Sequence, residues 1–414
     1  MYGRFRRAAV LMLLILFLLP CPARAYESRE TLREAWRGLD HYQGEFPFAA
    51  EPCTQAPYEP GALAPEALQG ALEVANFLRS LADLPPVALS DLYTLQCQHG
   101  AALLAALGYA AHDAPKPEDM SDEFYVTAHT ATIASNVARF NWVRPGVLEE
   151  SVIYFARDDG EENLGELGHR RWLLCPWMAE TGFGLAQSEE GDSYALMYAC
   201  DLGADPEWSE ICWPAPGVFP VELMHSHLAW SIVLNEEVYD LEASHFDVTL
   251  SEPNLGLSFG FDCGTGAGDG DAALNREAYG AGPCLIFRPD FRRVRFGDYL
   301  QNQRWHVRVE GLKRWDGGDA VLEYDVEMAS LYTQDVIGVE LSAHEGEMKA
   351  GETLTLTAAV IPEYADDLDV AWRCSDETLA TVAEGVVTAL RPGTVTITAE
   401  SANGREDSCK ISIK

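Results

Sequence analysis

Apolar positions over 66–81 recur with a helical period. Leu68, Leu72, Ala75, Phe77 and Leu78 form a stripe, and Pro85 and Pro86 end it. A second helix is predicted from Ser90, a good N-cap, through Leu92, Leu95, Ala101, Leu103, Leu104 and Leu107 to Gly108, which suits the left-handed residue that closes a helix. The loop after it delivers His112, and two more helical stretches are expected at about 121–137 and 145–155. Residues 164–174 read LGELGHRRWLL, predicted as a short helix capped by Asn163 and ended by Pro176. Asp158, Asp159, Glu161 and Glu162 precede it, where the helix dipole favours negative charge. Gly165 and Gly168 would each cost about 1 kcal/mol in a helix interior relative to Ala. Either another backbone approaches closely there, or a cleft opens above His169.

From 182 onward the pattern changes. Residues 182–185 and 194–199 read as a sheet edge and a strand, and 213–220, WPAPGVFP, as a rigid turn-rich linker. Alternating runs at 246–250, 257–261, 284–287, 305–309 and 320–328 predict a β-sandwich-like accessory domain over 204–335. Over 336–414 Thr alternates with Val, Leu and Ile, the two-residue period of a sandwich strand. Residues 26–65 form a lead-in broken by Pro52, Pro57, Pro60 and Pro65. The fold class is α+β.

Arg4, Arg6 and Arg7, the apolar run 8–19 and Ala23-Arg24-Ala25 have the layout of a secretory signal peptide over 1–25, cut near Tyr26. The expected product is secreted or extracellular, associated with a cell surface, and without a transmembrane anchor after cleavage. A formal net charge of −36 over 414 residues excludes nucleic acid as a partner that needs a basic face. Of ten cysteines, Cys21 leaves with the signal. Export permits disulfides. Cys263 with Cys284 and Cys374 with Cys409 are the expected pairs, Cys175 with Cys200 is a third, and Cys53, Cys97 and Cys212 stay open.

Several pieces between 66 and 203 fall in a specific order: Asn76-Phe77-Leu78-Arg79, then His112 with Pro115, Pro117 and Asp119-Met120-Ser121, then Ser135-Asn136. Gly168-His169-Arg170-Arg171-Trp172 and Thr181-Gly182-Phe183-Gly184 follow. This order resembles the CAP domain of cysteine-rich secretory and pathogenesis-related proteins, in its divergent bacterial branch. The resemblance implies an α-β-α sandwich with a shallow cleft, where two histidines and two acids can hold zinc or another divalent metal. The histidines correspond to His112 and His169. One acid, three residues after an aromatic, corresponds to Asp158 after Phe155; Ser135 stands where the family's Gly-Glu-Asn motif has glutamate. Two imidazoles and one carboxylate leave less charge and an open position. Ser135, Asn136, Glu162, Glu166 and Trp172 are expected to line the ligand cleft, with Asn136 holding loop backbone. Residues 336–414 resemble the group 2 bacterial immunoglobulin-like domain through Gly351-Glu352-Thr353, Ala371-Trp372, Gly385-Val386 and Gly393-Thr394-Val395, with Trp372 as core plug. Such domains act as spacers or adhesion modules.

The functional expectation is therefore an exported, non-enzymatic binding module. Its cleft would take a divalent metal, a small molecule or a lipid, displayed by β domains toward a cell-envelope or host-surface partner. One alternative is a hydrolase whose metal-bound water loses a proton to a nearby carboxylate. Another is an adhesin with a vestigial cleft. Ser258 in Gly256-Leu257-Ser258-Phe259-Gly260 matches a nucleophile elbow, but β-type residues flank it on both sides. His225 with His227, and the loop of Asp262, Asp269 and Asp271, read as solvated surface.

Overall fold

A strand that is buried at every position but its last must be covered on both faces, and Ser193–Tyr198 is such a strand. It runs antiparallel between Ser135–Phe140 and Phe183–Gln187 in a three-stranded sheet. Ala195 and Met197 pack with Val74, Leu78, Val152 and Phe155 of α2 (Pro65–Leu81) and α5 (Val147–Arg157). Tyr194 and Leu196 pack with Leu104, Phe124 and Ala128 of α3 (Asp91–Leu107) and α4 (Asp122–Ala134). Helices thus cover both faces of the sheet. The computed structural model describes residues 26–44, 47–142, 145–161, 163–294 and 297–414; the expected signal peptide and Glu162 lie outside them.

Helix ends follow local chemistry. Gly108 closes α3 at φ 75°, and Ser121 caps α4 by accepting from the Phe124 N–H. The expected stretch 121–137 stops at Ala134 because Ser135 turns extended and starts the sheet. An additional helix, α1 (Arg29–Arg37), lies in the lead-in; Ser28 caps it, and only Leu32 of it is fully buried. Its sequence signal is correspondingly faint.

The β-rich region folds as two sheets. One orders Gly270–Asn275, Cys284–Pro289, Trp230–Leu234 and Glu210–Trp213. The other orders Ala267–Gly268, Leu257–Asp262, Asp247–Glu252, Arg304–Lys313, Asp319–Ala329 and Gly217–Pro220. The segment expected as a linker is instead part of two strands. Trp213 is 0% exposed, and it shares one continuous core with Leu78, Phe155, Leu173, Trp230 and Trp305. Pro214, Pro216 and Gly217 turn the chain from one sheet to the other inside that core. Val387, Ile397 and Ile411 belong to a separate core at the C-terminus.

All nine cysteines of the described residues are free thiols, which corrects the expected disulfides. Cys374 sits opposite Ile397, and Ile397 sits opposite Cys409 on its other side. Two strand spacings of about 4.8 Å separate those cysteines, beyond the roughly 7 Å that a disulfide spans. Cys263 points its thiol at the Ile286 carbonyl and Cys284 at the Leu285 carbonyl.

Candidate functional site

The stretch 164–174 is a helix only over α6 (Gly168–Leu173). Leu167 adopts φ 49°, which breaks the helical path, and Asn163 does not cap it. The Asn163 backbone carbonyl instead accepts from the Glu166 and Leu167 N–H groups, making a tight turn before α6. Its side-chain amide donates to Asp158 Oδ1 at 3.1 Å. Gly165 has open space where a side chain would stand, whereas a Cβ on Gly168 would meet the Tyr279 ring at 3.3 Å. One glycine faces an opening and the other a close neighbour.

A cleft of about 300 Å³ opens on the Gly168 side. His112, Ser135, Asn136, Glu166, His169 and Trp172 line it, joined by Ile133, Asn163, Cys200 and Tyr279. His112 stands on the loop after α3, and its Nδ1 lies 2.9 Å from the Thr132 carbonyl oxygen. A carbonyl only accepts, so Nδ1 carries the proton, and Nε2 is a lone-pair acceptor in the neutral ring. His169 Nδ1 lies 2.9 Å from Asp158 Oδ1, a carboxylate that also accepts from the Arg170 N–H through Oδ2. The same reasoning makes His169 Nε2 an acceptor. Among the described residues, no protein group hydrogen-bonds either Nε2. Phe155 packs on the His169 ring at 5.4 Å, and Asn136 donates its amide to the His169 carbonyl at 2.8 Å.

Asp158 is therefore placed behind His169 and not in the cleft. Its side chain is 0% exposed and its oxygens are engaged by His169, Asn163 and the Arg170 N–H. This corrects its expected role as a metal ligand: it orients the imidazole, as a carboxylate behind a histidine does. Glu161 does not complete the donor set either, being paired with Arg288 at 2.8 Å. Ser135 Oγ lies 3.5 Å from the Cys97 thiol, which burial pushes up to about 12 and so keeps neutral. Among the described residues, no three His, Cys, Asp or Glu side chains converge where an ion could be held. The cleft thus offers two imidazole nitrogens, and an ion held by them would complete its shell with water. Ser258 lies within the strand Leu257–Asp262, opposite Ser251, where no elbow exists.

Three buried arginines shape the cleft wall. Arg170 donates to the carbonyls of Ala156, Arg157 and Ala229 at 2.7, 2.6 and 2.7 Å. Burial lowers its pKa to about 10, so it stays cationic at neutral pH. Arg171 reaches Asn275 Oδ1 and the carbonyls of Glu277 and Gly282 at 2.7, 2.6 and 2.7 Å. Its guanidinium lies over the Tyr279 ring at 5.2 Å. Arg79 donates to the carbonyls of Leu173, the last residue of α6, and of Cys175 just beyond it. The loop carrying Tyr279 is fixed by Arg171 and by Asn275, whose amide donates to the Gly165 carbonyl at 2.9 Å. Sequence reasoning had no signal for Tyr279, which lies far from the helical stretch and carries no motif.

Residues 335–411 match the family of bacterial Ig-like domains (group 2). Such modules are typical of extracellular or surface proteins, and among the described residues no helix is long and apolar enough to cross a membrane. Two curated proteins are similar. The first is a 3-O-alpha-D-galactosyl-alpha-L-arabinofuranosidase from Bifidobacterium longum subsp. longum, 44% identical over 72 residues, or 17% of this chain and 6% of that protein. The second is an uncharacterized protein from Clostridium acetobutylicum, 42% identical over 78 residues, or 18% of this chain and 8% of that one. This chain therefore spans less than a tenth of either relative. Among solved structures, a titin A168–169 fragment is 10% identical at a TM-score of 0.22, covering 45% of this chain and 89% of its own. The tandem Ig repeats of Dlar are 11% identical at 0.15, covering 50% and 99%. So low a TM-score carries no argument.

Proposed function

We propose that residues 66–203 form a CAP-type α-β-α module and that the protein is an exported, non-enzymatic binding protein. The reading rests on one observation: His112 and His169, delivered by separate elements, line one cleft with both Nδ1 atoms tied to acceptors. Two lone pairs are thereby offered to a ligand that donates hydrogen bonds or accepts electron pairs. A divalent metal would find two nitrogen donors here and would complete its shell with water. The histidines would hold it, with Asp158 and the Thr132 carbonyl orienting the rings. The Ig-like module suits display at an envelope or host surface.

The test is a calorimetric titration of the mature, metal-stripped protein with zinc chloride, an electron-pair acceptor, beside His112→Ala and His169→Ala. Saturable binding lost in both variants is the expected result. No binding by the parent protein, or binding that survives in either variant, overturns the imidazole pair as the binding element.

A further inference from the structure

The lining of the cleft has an unbalanced hydrogen-bond inventory. The two imidazole Nε2 atoms are acceptors, and among the described lining residues the only fully charged side chain is the carboxylate of Glu166. One Glu166 oxygen, Oε2, accepts from the Tyr279 hydroxyl at 2.8 Å; Oε1 has no protein partner among the described residues. That hydrogen bond, reinforced by partial burial, raises the Tyr279 pKa, so the phenol remains a donor. Tyr279 and Trp172 contribute two aromatic rings to the same cavity. One amide N–H of each asparagine is engaged, Asn136 with the His169 carbonyl and Asn163 with Asp158.

We infer that the cleft binds a primary ammonium group, with Tyr279 of the β-rich region as the residue that positions Glu166 for it. This deepens the binding reading above and rests on it. An alkylammonium brings three N–H donors and one positive charge. Its charge is matched by the Glu166 carboxylate and its donors by the imidazole acceptors of the same cavity, where the Trp172 ring adds an aromatic wall. A neutral alcohol supplies one donor and no charge. The arrangement holding Tyr279 is built: Gly280 brings its backbone against the Arg171 carbonyl, where a Cβ would stand 2.1 Å from that oxygen, and Gly168 leaves room for the ring. The site is incomplete without the loop that follows the strand Gly270–Asn275.

The experiment titrates the mature full-length protein with butylammonium chloride, 1-butanol and zinc chloride separately, followed by calorimetry and by the histidine ring resonances. Saturable butylammonium binding, with 1-butanol about tenfold weaker or absent, is expected. Glu166→Gln, which keeps shape and removes charge, should weaken the ammonium by about tenfold. Tyr279→Phe, which keeps the ring but releases Glu166, should weaken it by about threefold while leaving thermal unfolding unchanged. Equal binding of 1-butanol, or unchanged ammonium affinity in Glu166→Gln, overturns the inference. Zinc binding without ammonium binding sinks this inference and leaves the imidazole pair standing, whereas failure of both ligands sinks both. A further arm uses Nα-acetyl-lysine methylamide. Tighter binding than butylammonium supports a lysine side chain as the source of the group, and equal binding supports a free amine.

Discussion

The body of the chain and its C-terminal module solve the same burial problem by different means. In the module, alternation suffices: Val387, Val395, Ile397 and Ile411 point inward, and past residue 335 the only buried polar residue is Ser401. In the body, Arg79, Arg170 and Arg171 are buried as well, and most of their donors end on main-chain carbonyls of irregular segments. A buried cation tolerates few arrangements, because each unmet donor or acceptor costs about 1–3 kcal/mol. Such residues therefore fix where loops go, and the loops make the cleft. The module buries no comparable groups.

The sharpest way to break this contrast is Arg170→Ala. It orphans the carbonyls of Ala156, Arg157 and Ala229 together, so we expect the body to lose about 3–5 kcal/mol. Differential scanning calorimetry should show the transition of the body moving down while that of the C-terminal module stays. Equal shifts of both would mean that the two cores unfold as one. The reciprocal change is Ile397→Ala at a residue that is 0% exposed. A loss of about 3 kcal/mol confined to the module's transition is expected from the cavity it leaves.

What could be read from the sequence follows the same division. Elements built on periodicity were legible: α2 and α3, the long strands Arg304–Lys313 and Asp319–Ala329, and the Ig-like module. His112 and His169 were legible as a pair only through resemblance, since nothing local joins them. Segments governed by tertiary contacts were misread. Pro214 and Gly217 look like linker punctuation, yet Trp213 and Phe219 beside them are core residues. Asn163 looks like a cap, yet the left-handed Leu167 starts α6 later and releases Asn163 to Asp158. Asp158 is expected as a ligand from its place three residues after Phe155, which does not say on which side of the His169 ring it lies. Tyr279 could not be found at all, because only the folded Arg171 brings its loop to α6.

A smaller effect sharpens the role of Asp158. The substitution Asp158→Asn keeps the volume but turns an obligate acceptor into a side chain that can also donate. The His169 ring can then expose a protonated Nε2 to the cleft. We expect zinc affinity to fall by about tenfold to a hundredfold with little change in thermal unfolding. The tautomer can be checked by nitrogen chemical shifts of the imidazole. An unchanged tautomer and affinity would show that Asp158 only fills space.

The smallest expected effect tests how the two regions are joined. Arg33 of α1 pairs with both oxygens of Asp366 at 2.8 and 2.7 Å, and it reaches the carbonyls of Ser330 and Tyr332. Gln301 and the Gln334 N–H also bond that carboxylate. Burial alone would push the Asp366 carboxyl up, but these hydrogen bonds outweigh it and hold the pKa below the usual carboxylate value. A carboxylate lowered in the folded state stabilises fully above its unfolded pKa of about 3.9 and loses that contribution as pH falls through the folded value. Thermal unfolding should therefore lose an increment below about pH 4, and Asp366→Asn should remove that increment while lowering stability modestly at pH 7. Arg33→Ala should act in the same direction, by about 1 kcal/mol or less because the pair is partly exposed. An unaltered acid slope in Asp366→Asn would show that the junction is held by the adjoining backbone contacts and not by this ion pair.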